Sequence, residues 1–376
     1  MMGPGLYVHI PFCKRKCLYC DFNSYQSKEY LIDDYIDAVL KEADLYPNEN
    51  GNIETVFIGG GTPTVLSSKQ LLKLIGGLRD KFGIRDNVEF TVEANPGTVD
   101  RDKLSLLRDL GVNRLSFGVQ SMDDRLLKIL GRIHDVCDFM ENFNEAKKLG
   151  FDNINVDLMF GIPGQALYGW IKTLEEVVSL QPEHISCYGL MIEEGTPYYK
   201  MYKDNRLSLP DEDTEREMYW KAVQMLESNG YLHYEISNFA KKGYECRHNI
   251  IYWCDKPYIG LGAGAHTYYK DYRFANELIP EKYIEFIRNN DNAFTQREYI
   301  DKRNEMAEFM FMGLRLINGI KLKEFEDRFG VSLYNAYDNR IAKLLKFGLI
   351  ELQDDRVYLT KKGIDLSNQV FMEFMN

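Results

Sequence analysis

The sequence predicts an α/β protein: a partial (β/α)6 barrel followed by a smaller, mainly helical C-terminal domain. Two observations predict this fold. Six short strand-like runs alternate with amphipathic helical patterns in the first half of the chain, and their polar residues cluster toward their carboxyl ends. Such alternation implies a parallel sheet with right-handed crossovers. Polar residues along one rim favour a barrel, because a doubly wound sheet concentrates them at one switch point.

The predicted strands are short runs rich in β-branched and aromatic residues. They cover residues 6–10, 55–58, 89–93, 114–119, 153–160 and 184–190. The helical patterns between them place apolar residues every three or four positions, which gives each helix one face to bury. They cover residues 30–45, 69–82, 101–110, 139–149 and 168–180, and a further helix is predicted at 213–228.

The 376 residues are enough for two domains, or for one large domain with an appendage. We expect the barrel in residues 1–200 and an irregular, aromatic-rich extension in residues 201–300. A Met-rich helix at 305–317 and a hairpin at 349–359 predict a small winged-helix-like module in residues 301–376.

Charge and hydropathy exclude several classes of protein. The chain carries 46 basic and 57 acidic residues, a net charge of −11, which disfavours binding to nucleic acid. Residues 301–376 carry 12 of each sign, whereas a DNA-binding winged helix is expected to be basic. No run of about 18 apolar residues predicts a membrane span, and Met1 to Phe12 lack the pattern of a secretory signal. We therefore expect a cytoplasmic protein without a transmembrane segment.

Three of the seven cysteines, Cys13, Cys17 and Cys20, lie within eight residues. An odd count in a long chain without a secretory signal favours reduced thiols over disulfides. The spacing C-x3-C-x2-C brings three thiolates onto one centre, and thiolates bind zinc and iron–sulfur clusters. A 4Fe-4S cluster in an electron carrier uses four cysteines, so three leave one iron open to an amino and a carboxylate group of a small molecule. The basic residues 14–16 favour the thiolate form.

Two other interpretations of these cysteines stay open from the residues alone. His9 would complete a structural Cys3His zinc site, or the thiols are simply buried near one another. In the first predicted strand His9 shares a face with Tyr7, which points it poorly for a zinc site in the loop. The iron–sulfur cluster is therefore the favoured interpretation.

Five blocks of sequence, in order, resemble the radical S-adenosylmethionine superfamily. They are YVHIPFC at 7–13, GGGTPT at 59–64, EANP at 93–96, SFGVQS at 116–121 and DLMFGIPGQ at 157–165. Over nearly its whole length the chain resembles the group that contains the HemW haem chaperones and the oxygen-independent coproporphyrinogen III dehydrogenases. The resemblance implies a 4Fe-4S cluster on Cys13, Cys17 and Cys20.

The resemblance also implies which residues bind S-adenosylmethionine, some of them for a second molecule. The matching positions are Tyr7, Gly60, Gly61, Thr62, Glu93, Gln120, Arg132 and Asp157. Their chemistry suits the ligand. Glycines let a backbone come close, the carboxylates and the glutamine accept from hydroxyl and amino groups, and Arg132 offers a cationic fork.

Two positions separate the relatives within this group. In the dehydrogenase a fourth cysteine, linked to turnover, follows the motif, but Phe22 stands there in this chain and supplies no thiol. The segment HNIIYW at 248–253 matches the H-N-x-x-Y-W motif of the HemW group. The resemblance therefore implies haem binding, with His248 as an iron ligand and two aromatic faces beside the porphyrin. Spacing does not distinguish Cys246 and His266 as further candidate ligands.

Three functions from different classes remain. The leading one is a haem chaperone that binds a 4Fe-4S cluster, S-adenosylmethionine and haem, and transfers the haem to respiratory haemoproteins. The alternative is an oxygen-independent coproporphyrinogen III dehydrogenase, which decarboxylates propionates oxidatively. A winged-helix redox sensor is disfavoured by the neutral C-terminal module. The expected partners are haem and an apo-haemoprotein acceptor. One option for the acceptor is a membrane-bound respiratory protein, which would place this protein at the inner membrane surface.

Overall fold

The computed structural model describes residues 3–49, 51–290 and 292–375, without the side chains of Asn48 and Asn290. The strands are β1 (Gly5–Ile10), β2 (Thr55–Gly60), β3 (Glu89–Ala94), β4 (Arg114–Gln120), β5 (Ile154–Phe160), β6 (His184–Gly189), β7 (Leu232–Glu235), β8 (Asn238–Ala240), β9 (Tyr258–Leu261), β10 (His266–Tyr269), β11 (Tyr272–Asn276), β12 (Phe294–Tyr299), β13 (Ile320–Lys321), β14 (Ile350–Gln353) and β15 (Arg356–Leu359).

The described helices alternate with these strands and continue to the C-terminal end of the chain. The α-helices are α1 (Ile32–Glu42), α2 (Ser68–Phe82), α3 (Arg101–Asp109), α4 (Asp124–Leu130), α5 (Val136–Lys148), α6 (Leu167–Ser179), α7 (Pro197–Lys203), α8 (Glu212–Ser228), α9 (Arg247–Trp253), α10 (Pro280–Asn290), α11 (Lys302–Gly313), α12 (Leu322–Phe329), α13 (Leu333–Lys346), α14 (Lys361–Asp365) and α15 (Ser367–Met375). Short 3-10 helices cover Glu29–Leu31, Ala43–Leu45, Pro47–Glu49 and Pro63–Val65.

The large sheet confirms the predicted partial barrel. Its twelve strands run in the order β12-β11-β10-β9-β1-β2-β3-β4-β5-β6-β8-β7. The six predicted strands, β1 to β6, are parallel and follow chain order without a switch point, as a barrel requires and a doubly wound sheet does not. Strand β9 adds a further parallel strand beside β1, and the remaining strands of this sheet pair antiparallel at its two ends.

The two faces of β1 show how the sheet is packed. Leu6, Val8 and Ile10 are fully buried in the principal hydrophobic core, together with apolar residues of the helices. Tyr7 and His9 alternate with them and therefore lie on the opposite face. The apolar residues of β1 therefore face the helices. The residues that alternate with them face the concave side of the sheet.

The aromatic-rich extension is more regular than its sequence suggests. Residues 231–272 show no readable period, yet they form β7 to β11 and helix α9. Strands of three to five residues are too short for a period to appear. The extension shares the barrel core through Phe239, Ile259 and Tyr283. It completes both ends of the sheet.

The C-terminal module has a hydrophobic core of its own, drawn from β13–β15 and from helices α11–α13 and α15. Its hairpin, β14–β15, lies where the sequence predicts it. The turn residues Asp354 and Asp355 have φ of 51° and 61°, the left-handed values of a tight two-residue hairpin turn. The Met-rich helix ends at Gly313, four residues earlier than predicted.

Glu42, at the end of α1, is fully buried and holds the turn after β9. Its carboxylate accepts hydrogen bonds from Gly262 N (2.8 Å), Asn276 Nδ2 (2.7 Å) and Tyr283 OH (2.6 Å). Burial raises the pKa of Glu42 to about 7, although these hydrogen bonds oppose the rise. The folded state therefore binds a proton that the unfolded state releases near pH 4.5. The associated stability is complete below that pH and is lost as the pH rises through about 7.

We expect Glu42→Gln to remove this part of the pH dependence, because the amide does not ionise. Between pH 5 and 8 the free energy of unfolding of the parent should fall by on the order of 2–3 kcal/mol more than that of the variant. Urea titrations at a series of pH values measure both slopes, with the exposed Glu285→Gln as the matched control. Equal slopes for the parent and Glu42→Gln would show that Glu42 is not the titrating group.

Candidate functional site

The loop after β1 carries the three clustered cysteines and is closed at its base. The Cys13 N–H donates to Tyr25 O (2.9 Å). Across the loop, Lys16 Nζ donates to the carbonyl oxygens of Phe22 (2.9 Å) and Ser24 (3.1 Å). These bonds hold the segment as one compact loop at the C-terminal end of β1.

Each of the three sulfur atoms has a polar neighbour. The contacts are Cys13 Sγ to Thr62 Oγ1 (3.5 Å), Arg132 Nη1 to Cys17 Sγ (3.5 Å) and Cys20 Sγ to Ser24 Oγ (3.8 Å). Burial raises the pKa of Cys13 and Cys20, and the charges of neighbouring thiolates raise it further. Thiolates this close favour a cationic centre among them, so the donor set fits a 4Fe-4S cluster.

His9 is not free to complete a zinc site with these cysteines. Its Nδ1 lies 2.9 Å from Tyr7 OH and its Nε2 lies 2.8 Å from Asn23 O. Because both His9 nitrogens are engaged, the Cys3His interpretation lacks its fourth ligand.

The glycines after β2 bring that strand against the cysteine loop. Gly60 has φ +112°, and a Cβ added there would lie 2.5 Å from the His9 ring. A Cβ added at Gly61 would lie 3.0 Å from Cys13 Sγ. Only glycine adopts the positive φ at position 60 without strain and leaves room for the close contacts at positions 60 and 61. The sequence suggested that these glycines let the backbone approach a ligand, and the structure adds that they let it approach the cysteines.

A chain of hydrogen bonds connects β2, β3 and Arg132 to the cysteines. Asn95 Nδ2 donates to Thr62 Oγ1 (2.7 Å), and Arg132 Nη2 donates to Asn95 Oδ1 (2.6 Å) and to Gly118 O. The Arg132 Nε is buried without a hydrogen-bond partner in the described structure. This spare cationic donor beside Cys17 suits the carboxylate of an amino-acid ligand.

Glu93 and Asp157 form a half-buried acidic pair on the concave face. Burial, and then the charge of Asp157, raise the pKa of Glu93 to about 8. Asp157 accepts hydrogen bonds from Ser116 Oγ (3.0 Å) and Asn155 Nδ2 (2.8 Å), and burial raises its pKa as well. The pair therefore tends to keep a proton near neutral pH. A sulfonium or ammonium group would favour its full ionisation.

Gln120 and Tyr7 lie close to the acidic pair in the sheet. Gln120 is at the C-terminal end of its strand, and Tyr7 is on the concave face. Gln120 ends β4 with φ +70°, a left-handed value that is uncommon for a residue with a side chain. The pairing of β4 with β5 slips at this point. Such local strain is typical of functional positions. Tyr7 is half-buried on the concave face, where its hydroxyl meets the His9 ring.

His248 lies at the other end of the strands. Its Nδ1 lies 2.7 Å from Thr55 Oγ1, in the first residue of β2, and its Nε2 lies 2.8 Å from Tyr252 OH. Its backbone N–H donates to Glu89 Oε1 (2.9 Å), in the first residue of β3. Burial, and then the charge of Arg114, lower the pKa of His248 to about 3. Iron reaches this ring only if one of these hydrogen bonds breaks, and ligation by His248 stays a prediction.

Comparison with known proteins confirms the resemblance. The Radical SAM superfamily pattern matches residues 7–177, and the HemN C-terminal domain pattern matches residues 300–366. The heme chaperone HemW of Bacillus subtilis is 40% identical over 98% of this chain and 98% of its own length. The chain belongs to the HemW family. The HemW of Escherichia coli is 41% identical over 70% of this chain and 69% of its own length.

A solved structure supports the fold of this HemW family member. The coproporphyrinogen III oxidase HemN of Escherichia coli superimposes with a TM-score of 0.87, covering 100% of this chain and 90% of that one. Sequence identity is 23%, so this likeness shows the fold alone. It confirms the partial barrel with a smaller C-terminal domain.

Proposed function

We propose that the protein is a haem chaperone. It carries a 4Fe-4S cluster on Cys13, Cys17 and Cys20, binds S-adenosylmethionine beside the cluster, binds haem and transfers it to an apo-haemoprotein. The observation that carries this proposal is the near-full-length similarity to a protein named heme chaperone. The closed loop of three thiols beside Arg132 supports it, because such a loop suits a cluster that S-adenosylmethionine can approach.

The cluster, when bound, supplies an iron that the three cysteines leave open to S-adenosylmethionine. The protein's own residues then orient that ligand. The spare Arg132 Nε takes the carboxylate, and Glu93 and Asp157 accept from its amino or ribose groups. Thr62 contributes a hydroxyl from the turn after β2. The remaining proposed contacts are Tyr7, Gly60, Gly61 and Gln120.

The dehydrogenase alternative requires a group that this chain does not present. Phe22 occupies the position of the dehydrogenase's fourth cysteine, and its side chain is 65% exposed beside the cysteine loop. A phenyl ring has no exchangeable proton. The likeness to HemN carries no argument for that activity, since it shows the fold alone.

We further propose that the acceptor is a respiratory haemoprotein and that the protein works in the cytoplasm, at the inner membrane surface when the acceptor is membrane-bound. A chaperone must release its cargo to a partner, and respiratory haemoproteins need haem. In the part of the chain that the structure describes, none of the helices combines the length and the apolarity needed to cross a membrane.

One pair of assays tests the proposed function. The reconstituted protein is incubated under nitrogen with coproporphyrinogen III, reductant and S-adenosylmethionine, and in parallel is loaded with haem and mixed with an apo-haemoprotein. We expect haem to appear in the acceptor and no protoporphyrinogen to form. Formation of protoporphyrinogen would contradict the chaperone assignment, as would the absence of transfer to any respiratory apo-haemoprotein.

A further inference from the structure

Helix α9 carries the HNIIYW motif but keeps its histidine enclosed. His248 is 1% exposed, and its ring lies between those of Phe57 and Tyr252, with centroids 5.2 and 5.0 Å away. Both ring nitrogens have hydrogen-bond partners, Thr55 Oγ1 at 2.7 Å and Tyr252 OH at 2.8 Å. A haem group needs an open ring nitrogen and free space beside it, so it does not reach His248 in this arrangement.

The N-terminal ends of β1 and β2 form one wall of this enclosure. Gly5 is the first residue of β1. A Cβ added at this position would lie 3.1–3.3 Å from side-chain atoms of Ile251, Thr55 and His248. Thr55 is the first residue of β2 and is 1% exposed. The missing side chain at Gly5 therefore lets α9 pack directly on the two strands, and the Thr55 hydroxyl holds the imidazole there.

The two ends of α9 are fastened differently. At the N-terminal end, Glu89 accepts the first N–H groups of the helix. The chain before this end passes through the exposed Gly243, which has φ +90° and where an added Cβ would meet nothing within 4 Å. At the C-terminal end, Arg328 of the C-terminal module donates to Asp255 Oδ2 (2.8 Å). A hinge at Gly243 would let the first turn of α9, which carries His248, move while the other end stays attached.

The order of α9 depends on its docking to the barrel. With seven residues the helix is too short to be stable alone. Short segments of this kind open locally at a lower free energy than core strands do. A ligand that binds only the open form loses affinity in proportion to how rarely that form is populated. The contacts that keep α9 docked should therefore oppose haem binding.

We propose that haem binds only after the first turn of α9 leaves β1 and β2, and that Thr55 is the residue that holds His248 closed in the haem-free protein. The proposal rests on the proposed haem chaperone function and adds control of access to its haem site. When the helix opens, the ring leaves Thr55, and its unprotonated nitrogen forms a bond to the haem iron. No electron or proton is transferred. The hydrogen bonds to Glu89 break in the same movement, which keeps the closed form dominant without haem.

Thr55→Val tests this proposal, because it keeps a side chain of the same shape and removes the hydroxyl. Haemin titrations of the reconstituted protein, followed by the Soret band, measure the affinity, and stopped-flow mixing measures the rate. Losing a buried hydrogen bond weakens only the closed form, so Thr55→Val should bind haemin about tenfold more tightly than the parent, and faster. Gly5→Ala should also tighten binding, because its methyl group presses on the closed helix. Thr173→Val, a buried threonine of α6, is the matched control and should bind as the parent does.

A haem site already formed in the closed structure predicts the opposite sign. Thr55 would then be the outer-shell partner that orients His248, and its loss would weaken haemin binding by ~10–100-fold. Weaker or unchanged binding by Thr55→Val would therefore overturn the proposal. Circular dichroism and cluster absorbance check that the variants fold. If Thr55→Val does not fold, Gly5→Ala decides in the same way, since tighter binding supports the closed helix and weaker or unchanged binding contradicts it.

Two further outcomes separate this proposal from the proposed function. If the parent shows no Soret change with haemin, the haem chaperone function itself is contradicted. If the parent binds haemin and His248→Gln keeps the parental spectrum, the iron has another ligand. The function would then stand, and the role assigned to Thr55 would be wrong.

Discussion

Replacing Cys13, Cys17 and Cys20 together by Ala is expected to abolish the iron–sulfur absorbance of protein reconstituted with iron and sulfide under nitrogen. The three thiolates are the proposed ligands, and without them the loop keeps no sulfur donor. Iron content should fall from about four per chain to near zero. Absorbance spectra and iron analysis give both values.

The matched control for this prediction is Cys137→Ala, which removes an exposed thiol from α5. It should keep its iron and its spectrum. The triple variant should still fold, because the closing hydrogen bonds of the loop use backbone groups and Lys16 rather than the sulfurs. A triple variant that retained a cluster would contradict the assignment of the loop.

Glu89→Leu is expected to destabilise the folded protein by about 2–4 kcal/mol, because it leaves one buried and one partly buried N–H donor without an acceptor, at about 1–3 kcal/mol for each unsatisfied buried donor. Glu89 begins β3 and is 7% exposed. Its carboxylate accepts the backbone N–H groups of Arg247 (3.0 Å) and His248 (2.9 Å). Burial opposes the charged form of the Arg114 guanidinium, but neighbouring groups, Cys246 first and Glu89 next, raise its pKa. Leu leaves the buried N–H of His248 and the partly buried N–H of Arg247 without their acceptor, and Arg114 without one of its negative neighbours.

Urea unfolding measures this loss of unfolding free energy, and two further variants serve as comparisons. Glu89→Gln keeps an acceptor oxygen at similar volume, so its loss should be smaller. Glu285→Leu, on the exposed face of α10, should stay within about 0.5 kcal/mol of the parent. If Glu89→Leu also stayed within that range, Glu89 would not anchor α9 to the barrel.

The strands and helices of the barrel could be predicted from sequence because each is long enough to show its period. Strand β5, predicted at 153–160, is Ile154–Phe160, and α2, predicted at 69–82, is Ser68–Phe82 with Ser67 as its N-cap. The Ser67 side chain accepts from Gln70 N, and Gln70 reaches back to the cap backbone. A capping box of this kind determines where a helix begins through contacts between residues that are close in sequence.

The extension could not be predicted in the same way. Strand β8 has three residues and β9 has four, and both are ordered by pairing with strands distant in sequence. Helix α9 has seven residues, and Glu89 accepts its first N–H groups from more than 150 positions earlier in the chain. Contacts over such separations leave no mark on local periodicity.

The site shows the same division. The spacing predicts the cysteine ligands, and the resemblance predicts the S-adenosylmethionine contacts. Asn95, which joins Thr62 to Arg132, was not assigned to the site, nor was the buried Arg114. A charged residue at the start of a mostly apolar strand, as Arg114 is in β4, is the available signal. His248 shows the opposite case, because the sequence displays its motif but not the burial of its ring.

The central claim is that three cysteines hold a 4Fe-4S cluster with one iron that the protein does not ligate. Mössbauer spectroscopy of protein reconstituted with 57Fe, before and after addition of S-adenosylmethionine, tests it most directly. Because one iron in four lacks a cysteine, we predict that about one quarter of the iron signal changes when the ligand binds. An unchanged spectrum, or zinc in place of iron at Cys13, Cys17 and Cys20, would contradict the claim.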